Sequence, residues 1–240
     1  MCTVIYIPTK DGALFSSCRD EHPARAAAMA PQIIKGNTGW LLYPKDAAAN
    51  GSWAGVNEKG HVVILLNGAF KNHERINNYK KSRGHIVIEI LDSINPLHTW
   101  NLSDLHFVEP FTIVCWYQQQ LYEWVWDGNA KHNTTLEPGK PFIWSSSTLY
   151  NEEVKQLRSS WFKEALKNNK LNTAEELLQT LNFHNDATNG FVMKRNETIQ
   201  TLSISLIQHC ADYFNFNYYD LRQQKITNVV LKQFSQLQAV

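Results

Sequence analysis

Cysteine is scarce in this sequence of 240 residues, and the four present (Cys2, Cys18, Cys115, Cys210) are widely scattered. Without a C-x-x-C pair they suit neither a zinc cage nor a disulfide scaffold, and the expected setting is reducing and cytoplasmic. No apolar run reaches the roughly 18 residues that a spanning helix needs. The opening residues, Met1 to Pro8, show no basic leader and do not read as a signal peptide. Charge of one sign is also missing: 23 Lys and Arg against 22 Asp and Glu leave a net +1. Such neutrality argues against nucleic acid or an anionic membrane as partner and leaves a small molecule as the expected one. The nine His fall at no metal-ligand spacing, so no metal is predicted, and His61 and His132 read as turn or surface residues. Neither a P-loop nor a G-x-G-x-x-G is present, which speaks against the common nucleotide folds.

What is present is an ordinary globular balance, 43% apolar and 19% charged, with eight Trp, nine Tyr and eleven Phe. That aromatic load suits a packed β-rich core or a broad apolar pocket. No repeat, low-complexity block or linker divides the chain, so a single domain over residues 1–240 is expected.

Residues 2–8 and 13–18 read as strands around the Lys10-Asp11-Gly12 turn. A polar, Ala-rich segment follows from Arg19 to about Gly39. Trp53 to Asn57 and Val62 to Leu66 form a second hairpin across Glu58-Lys59-Gly60, ended by Asn67-Gly68. Lys71 to Arg83 is a polar, basic loop. Gly84 to Ile94 is ambiguous between strand and helix and is assigned to helix because Asn95-Pro96 resembles a stop signal. Phe111–Tyr117, Leu121–Trp126 and Pro141–Trp144 read as strands. Helices are expected over Asn151–Asn168, with Val154, Leu157, Trp161 and Leu166 on its apolar face, and from the capping-box pattern Thr173/Glu176 to about Leu181. Three strands close the chain: Ile199–Ile207, Tyr213–Leu221 and Ile226–Phe234. The class is therefore α+β.

Cys2 is the position with most chemistry. Removal of Met1, normal before a small residue, would leave a thiol and a free α-amine on one amino acid. An amine with a pKa of about 7.7–8.0 can serve as base for its neighbouring thiol near neutrality. Position alone favours the plainer reading, a small apolar residue that merely packs. If the first hairpin turns near Asp11, its second strand returns Cys18-Arg19-Asp20-Glu21 to the side of Cys2. Arg19 can then lower the thiol pKa or bind substrate, and Asp20 can accept a bond from the α-ammonium. The alternative is a solvated ion pair at a strand end. Lys71, His73, Arg75, Lys80, Lys81, Arg83 and His85 make a basic stretch that reads first as a solvated loop, with an anionic ligand as the second reading.

The N-terminus, Arg19-Asp20-Glu21, Trp53 to Asn57, Leu65 to Phe70 and Ile143 to Tyr150 together resemble the NRDE family, which includes the eukaryotic transport-and-Golgi-organisation proteins. The resemblance spans nearly the whole chain. This sequence has Cys18 where the family's Asn stands. The family is similar to choloylglycine-type N-terminal-nucleophile hydrolases, which implies a four-layer αββα sandwich. By position, Cys2 matches the nucleophile, Arg19 and Asp20 the Arg and Asp of the site, and Asn67 the carboxamide of the oxyanion hole. The superfamily's second Asn falls near Ser146, whose hydroxyl can donate from a shorter side chain. Arg195 is matched to the distal Arg, and Asn57 is placed with it in substrate binding.

Two functions are thus expected. One is an N-terminal cysteine hydrolase cleaving an amide or related acyl bond, without a cofactor. The other, implied by the family's links to haem mobilisation and acyl-CoA metabolism, is a non-catalytic haem or lipid carrier using the same cleft.

Overall fold

The computed structural model describes residues 2–76, 78–184, 186–195 and 197–234, with the backbone alone of Cys2. The Lys10-Asp11 turn joins β1 (Cys2–Thr9) to β2 (Gly12–Glu21) in the register Thr9↔Gly12 through Cys2↔Arg19. The second strand runs three residues further than the apolar pattern indicates, because Arg19, Asp20 and Glu21 continue its ladder. Next come β3 (Met29–Lys35), β4 (Trp40–Lys45), β5 (Ala54–Asn57) and β6 (Val62–Asn67), then α1 (Arg83–Leu91) and α2 (Pro96–Leu102). Strands β7 (Phe111–Tyr117), β8 (Gln120–Trp126), β9 (Lys131–Leu136) and β10 (Phe142–Ser145) precede α3 (Glu152–Lys167) and α4 (Ala174–Phe183). The chain ends with β11 (Lys194–Arg195), β12 (Ile199–His209), β13 (Tyr213–Asp220) and β14 (Lys225–Lys232).

These form two antiparallel sheets. One has the order β10-β1-β2-β12-β13-β14 with β11 on β12; the other runs β3 to β9 in chain order. Period-two alternation sorts the side chains of β1 and β2. Val4, Tyr6 and Phe15 join the core shared with the second sheet, where Tyr6 and Phe15 meet Trp116 at ring-centroid distances of 6.0 and 6.3 Å. Ile5, Ile7, Leu14 and Cys18 face the other way, against Phe162 and Ala165 of α3 and Leu177 and Leu181 of α4. On the far side of the second sheet, Ile86, Val87, Ile90 and Leu91 of α1 and Trp100 of α2 cover β5 to β8. The architecture is the four-layer αββα sandwich.

Several local readings change. The Ala-rich segment contains β3, an edge strand that tolerates Pro31 because its outer side needs no ladder bond. The edge strand β9 carries no apolar alternation because most of it is exposed. Helix α1 stops at Leu91 with Asp92 as its C-cap, three residues short of the expected Ile94, and Asn95-Pro96 starts α2 instead of ending α1. Asn95 Oδ1 accepts from His98 N–H, and Pro96 occupies the first turn, where no N–H is needed. In α3 the buried face is Arg158, Phe162 and Ala165, rotated from the expected stripe, and Leu157 is exposed. The capping box of α4 is formed.

Candidate active site

At one end of the sandwich a cavity of about 580 Å³ opens between the two sheets. Its lining includes Arg19 and Glu21 of β2, Trp53 beside β5, and Leu65 and Asn67 of β6. The start of α1 contributes Ser82, Arg83 and Gly84. Ladder pairing sets the backbone of Cys2 opposite Arg19, with Cα atoms about 4.5–5.5 Å apart in such a pair. The Cys2 side chain lies outside the described residues.

Arg19 is 5% exposed and thoroughly fixed. Its Nη2 lies 2.5 Å from Asp46 Oδ2, and its guanidinium carbon sits 4.4 Å from the Trp53 ring centroid. Asp46 also takes Arg25 through Nε at 2.8 Å and Nη2 at 3.0 Å, and the Ala48 and Ala49 N–H groups at 3.0 and 2.8 Å. Burial works against ionisation of this carboxyl, but the Arg25 bonds, the Ala49 N–H and the two guanidinium charges outweigh it, and its pKa is lowered. Asp46 is invisible to sequence reasoning: it stands 27 residues from Arg19 in an Asp-Ala-Ala-Ala turn that carries no catalytic signature. The same loop is pinned to α1, since Ser52 N–H donates to Gly84 O at 3.1 Å.

Asp20 turns to the opposite face of β2 and is completely buried. Tyr150 and Thr201 donate to its two oxygens at 2.6 and 2.7 Å. Asn67 lines the cavity, and among the described residues its carboxamide makes no hydrogen bond. Ser146 donates its hydroxyl proton to Asn67 O at 2.6 Å and lines a separate cavity of about 110 Å³. Its proton is therefore spent on holding the end of β6.

Two residues assigned to substrate binding lie elsewhere. The Asn57 carboxamide is buried in its own turn: Nδ2 donates to Leu91 O at 2.8 Å and faces His61 Nδ1 at 3.0 Å, while Oδ1 accepts the N–H groups of Lys59 and His61. With every hydrogen-bonding position occupied it has nothing to offer a ligand, and it is absent from the cavity lining. Arg195 sits on β11 and donates to Thr188 O at 3.2 and 2.8 Å, away from that lining. His61 is buried rather than superficial, and burial lowers its pKa to about 4. His132 is exposed on β9. Cys18 packs in the helix-facing core.

The basic stretch is more than a solvated loop. His73, Arg75, Lys81 and Arg83 line the cavity around Glu109, which Arg83 reaches at 3.0 Å and His73 at 3.3 Å. Arg19, Arg25, Arg75, Lys81 and Arg83 against Glu21, Asp46 and Glu109 give the lining a surplus of two positive charges, five minus three. Among the described residues no group of three or more His, Cys, Asp or Glu could hold a metal ion, and no helix is long and apolar enough to cross a membrane.

The sequence pattern of Transport and Golgi organisation 2 matches residues 1–233. The chain belongs to that family. No curated protein matches the sequence at a significant level. The fold of this Transport and Golgi organisation 2 member is shared with solved structures of low sequence identity. The C2A mutant of conjugated bile acid hydrolase from Clostridium perfringens has a TM-score of 0.63 at 12% identity, over 98% of this chain and 97% of that one. The N-acylethanolamine-hydrolyzing acid amidase ortholog of Caenorhabditis elegans gives 0.60 at 10%, over 86% and 92%. Penicillin V acylase from Agrobacterium tumefaciens gives 0.56 at 7%, over 95% and 86%. These likenesses establish the N-terminal-nucleophile hydrolase fold.

Proposed function

We propose that this protein is an N-terminal cysteine hydrolase that cleaves an amide or related acyl bond in a small substrate bearing an anionic group. The observation that carries the reading is the register of β1 on β2, which sets Cys2 opposite a buried Arg19 in the wall of the main cavity.

In this reading Met1 is removed and the Cys2 amine takes the thiol proton. The thiolate attacks the acyl carbon, a C–S bond forms, and the negative charge moves to the acyl oxygen. The carboxamide of Asn67, which makes no hydrogen bond among the described residues, supplies an N–H toward that oxygen. Collapse breaks the acyl C–N bond, and the departing amine takes its proton from the α-ammonium. Water, deprotonated by the freed α-amine, then hydrolyses the thioester and restores Cys2. Arg19, immobilised by Asp46 and Trp53, supplies a fixed positive potential beside the nucleophile. The surplus cations of the His73–Arg83 wall favour substrates with a carboxylate, sulfonate or phosphate. The structural neighbours, named for hydrolysis or acylase action on small compounds, support the reaction class.

The test begins with intact mass, which must show Met1 removed. A panel of N-acyl amino acids, N-acyl taurines and neutral N-acylethanolamides then follows. Turnover of an anionic member, abolished in Cys2→Ala and trapped as an acyl adduct on Cys2, is expected. A retained Met1, or turnover unaffected by Cys2→Ala, refutes the reading. The carrier reading rests on the same cationic wall and its His73 imidazole. A haem Soret shift lost in His73→Ala, in protein without turnover, would favour it instead.

A further inference from the structure

Beneath β1 and β2, on the face away from the cavity, lies a buried polar cluster that packing alone does not require. Asp20 and Arg158 are both fully buried. The carboxylate and the guanidinium do not form a contact ion pair; Tyr150 stands between them. Its hydroxyl donates to Asp20 Oδ2 at 2.6 Å, and the Arg158 guanidinium carbon lies 3.7 Å from its ring centroid. Arg158 itself is tied down by Nη1 to Thr3 Oγ1, Nη2 to Gly190 O, and Nε to Asn189 O at 3.0 Å. Thr3 is the residue that follows Cys2. Thr201 Oγ1 accepts Met193 N–H at 2.9 Å and donates its proton to Asp20 Oδ1 at 2.7 Å, with Phe191 O a more distant acceptor at 3.5 Å.

This arrangement has a chemical consequence. A carboxylate clamped bidentately by arginine has its best acceptor positions filled. Among the described residues Asp20 takes one hydroxyl on each oxygen, which leaves a lone pair on each for a further donor. Arg158 compensates its charge from behind the phenol without occupying those positions. The groups facing Asp20 are Tyr150 from the loop before α3, Arg158 from α3 and Thr201 from β12, while Arg19 and Glu21 turn to the other side of its own strand. Complete burial leaves the Asp20 pKa raised overall, with Arg158, Tyr150 and Thr201 each opposing the rise. Burial also pushes the Tyr150 phenol well above its usual range, so it is a fixed donor rather than a base.

We propose that Tyr150, Thr201 and Arg158 are positioning residues that hold Asp20 ionised and open on one side to receive the α-ammonium of Cys2. This rests on the N-terminal-nucleophile reading. An ammonium facing a carboxylate is stabilised, so the Cys2 amine titrates above the free-amine range, and weakening Asp20 brings it back.

The experiment uses the full chain with Met1 removed, verified by intact mass, and follows the α-amine pKa by NMR of ¹⁵N-cysteine-labelled protein. In the wild type the amine is expected above about 8. Asp20→Asn should lower it by about one unit or more, a tenfold change in acidity. Tyr150→Phe keeps the ring beneath Arg158, and Thr201→Val keeps the shape. Each should lower the amine pKa by at least half the Asp20→Asn shift, and neither should add to it in the double variant. Arg158→Lys, which keeps the charge, should retain most of the wild-type value. If Asp20→Asn moves the amine while Tyr150→Phe and Thr201→Val leave it unchanged, the positioning proposal is wrong and the nucleophile reading stands. If Asp20→Asn itself has no effect, Asp20 does not face the amine and the positioning proposal falls, while the nucleophile reading is decided by Cys2→Ala. A purely structural role would lower Tm in these variants without moving the titration.

Discussion

Asp46→Asn isolates the charge that organises the cavity, because the substitution keeps side-chain shape and an acceptor for the Ala48 and Ala49 N–H groups. What it removes is the anion between two guanidinium groups, replacing an acceptor by an N–H₂ that faces other donors. The side chains of Arg19 and Asp46 are only 6% and 10% exposed. Breaking such a buried pair from one side costs about 3–5 kcal/mol, mainly for the stranded charge. Arg25, with its side chain 34% exposed, recovers hydration, so the lower end of about 3 kcal/mol applies. For a domain of this size that corresponds to a fall in Tm of about 6–12 °C. The sign with pH follows from the depressed pKa of Asp46 in the fold. Its contribution is complete above the unfolded carboxyl pKa of about 3.9 and is lost as pH falls through the lower folded value. Urea denaturation of wild type and Asp46→Asn should therefore show the full gap at pH 7 and one smaller by about 1 kcal/mol near pH 3. An Arg19→Met, Asp46→Asn double variant should lose at least about 1 kcal/mol less than the sum of the singles. A gap below about 1 kcal/mol at pH 7, or an equal gap at both pH values, would refute an ionic role.

Gly51→Ala should destabilise by about 1–3 kcal/mol, because its Cβ would come within 2.6–3.0 Å of Gly84 backbone atoms and part the Asp46 loop from α1. Thermal denaturation measures the loss, and an unchanged Tm would show that the two segments separate without cost. His61, neutral in the fold with a pKa near 4, must bind a proton on unfolding below about pH 6.5. Stability should thus fall as pH drops from 6.5 toward 4, by up to about 1.4 kcal/mol per pH unit, and His61→Gln should flatten that slope. Thr173→Ala removes the cap of α4 and should cost about 0.5–2 kcal/mol in urea denaturation, with a smaller loss for Thr173→Ser.

The strands and helices with strong local patterns were legible without coordinates. The apolar, strand-like runs around Asp11-Gly12 and Glu58-Lys59-Gly60 announce hairpins, and Thr173/Glu176 announces a cap, because each signal arises within a few residues of backbone. Edge strands β3 and β9 were not, since an exposed edge with one ladder partner needs no apolar alternation. The Arg158 side chain, on a helix read by its apolar stripe, was hidden for a similar reason: a buried cation is permitted only by partners contributed from distant segments, here Thr3, Asn189 and Gly190.

The site divides the same way. Sequence alone determined that Cys2 and the Arg19-Asp20 pair occupy opposite strands of one hairpin, because a two-residue turn sets register over its whole length. Tertiary structure decided what those residues meet. Alternation sends Arg19 toward Asp46 and Trp53 in the cavity, and Asp20 toward Tyr150 and Thr201 on the reverse face. It also spends the Asn57 carboxamide within its own turn and leaves that of Asn67, at the end of a strand, with no hydrogen bond among the described residues. Hydrogen-bond partners such as Asp20 and Thr201, 181 positions apart in the chain, leave no trace in local spacing, and their pairing exists only once the two sheets and their helices have packed.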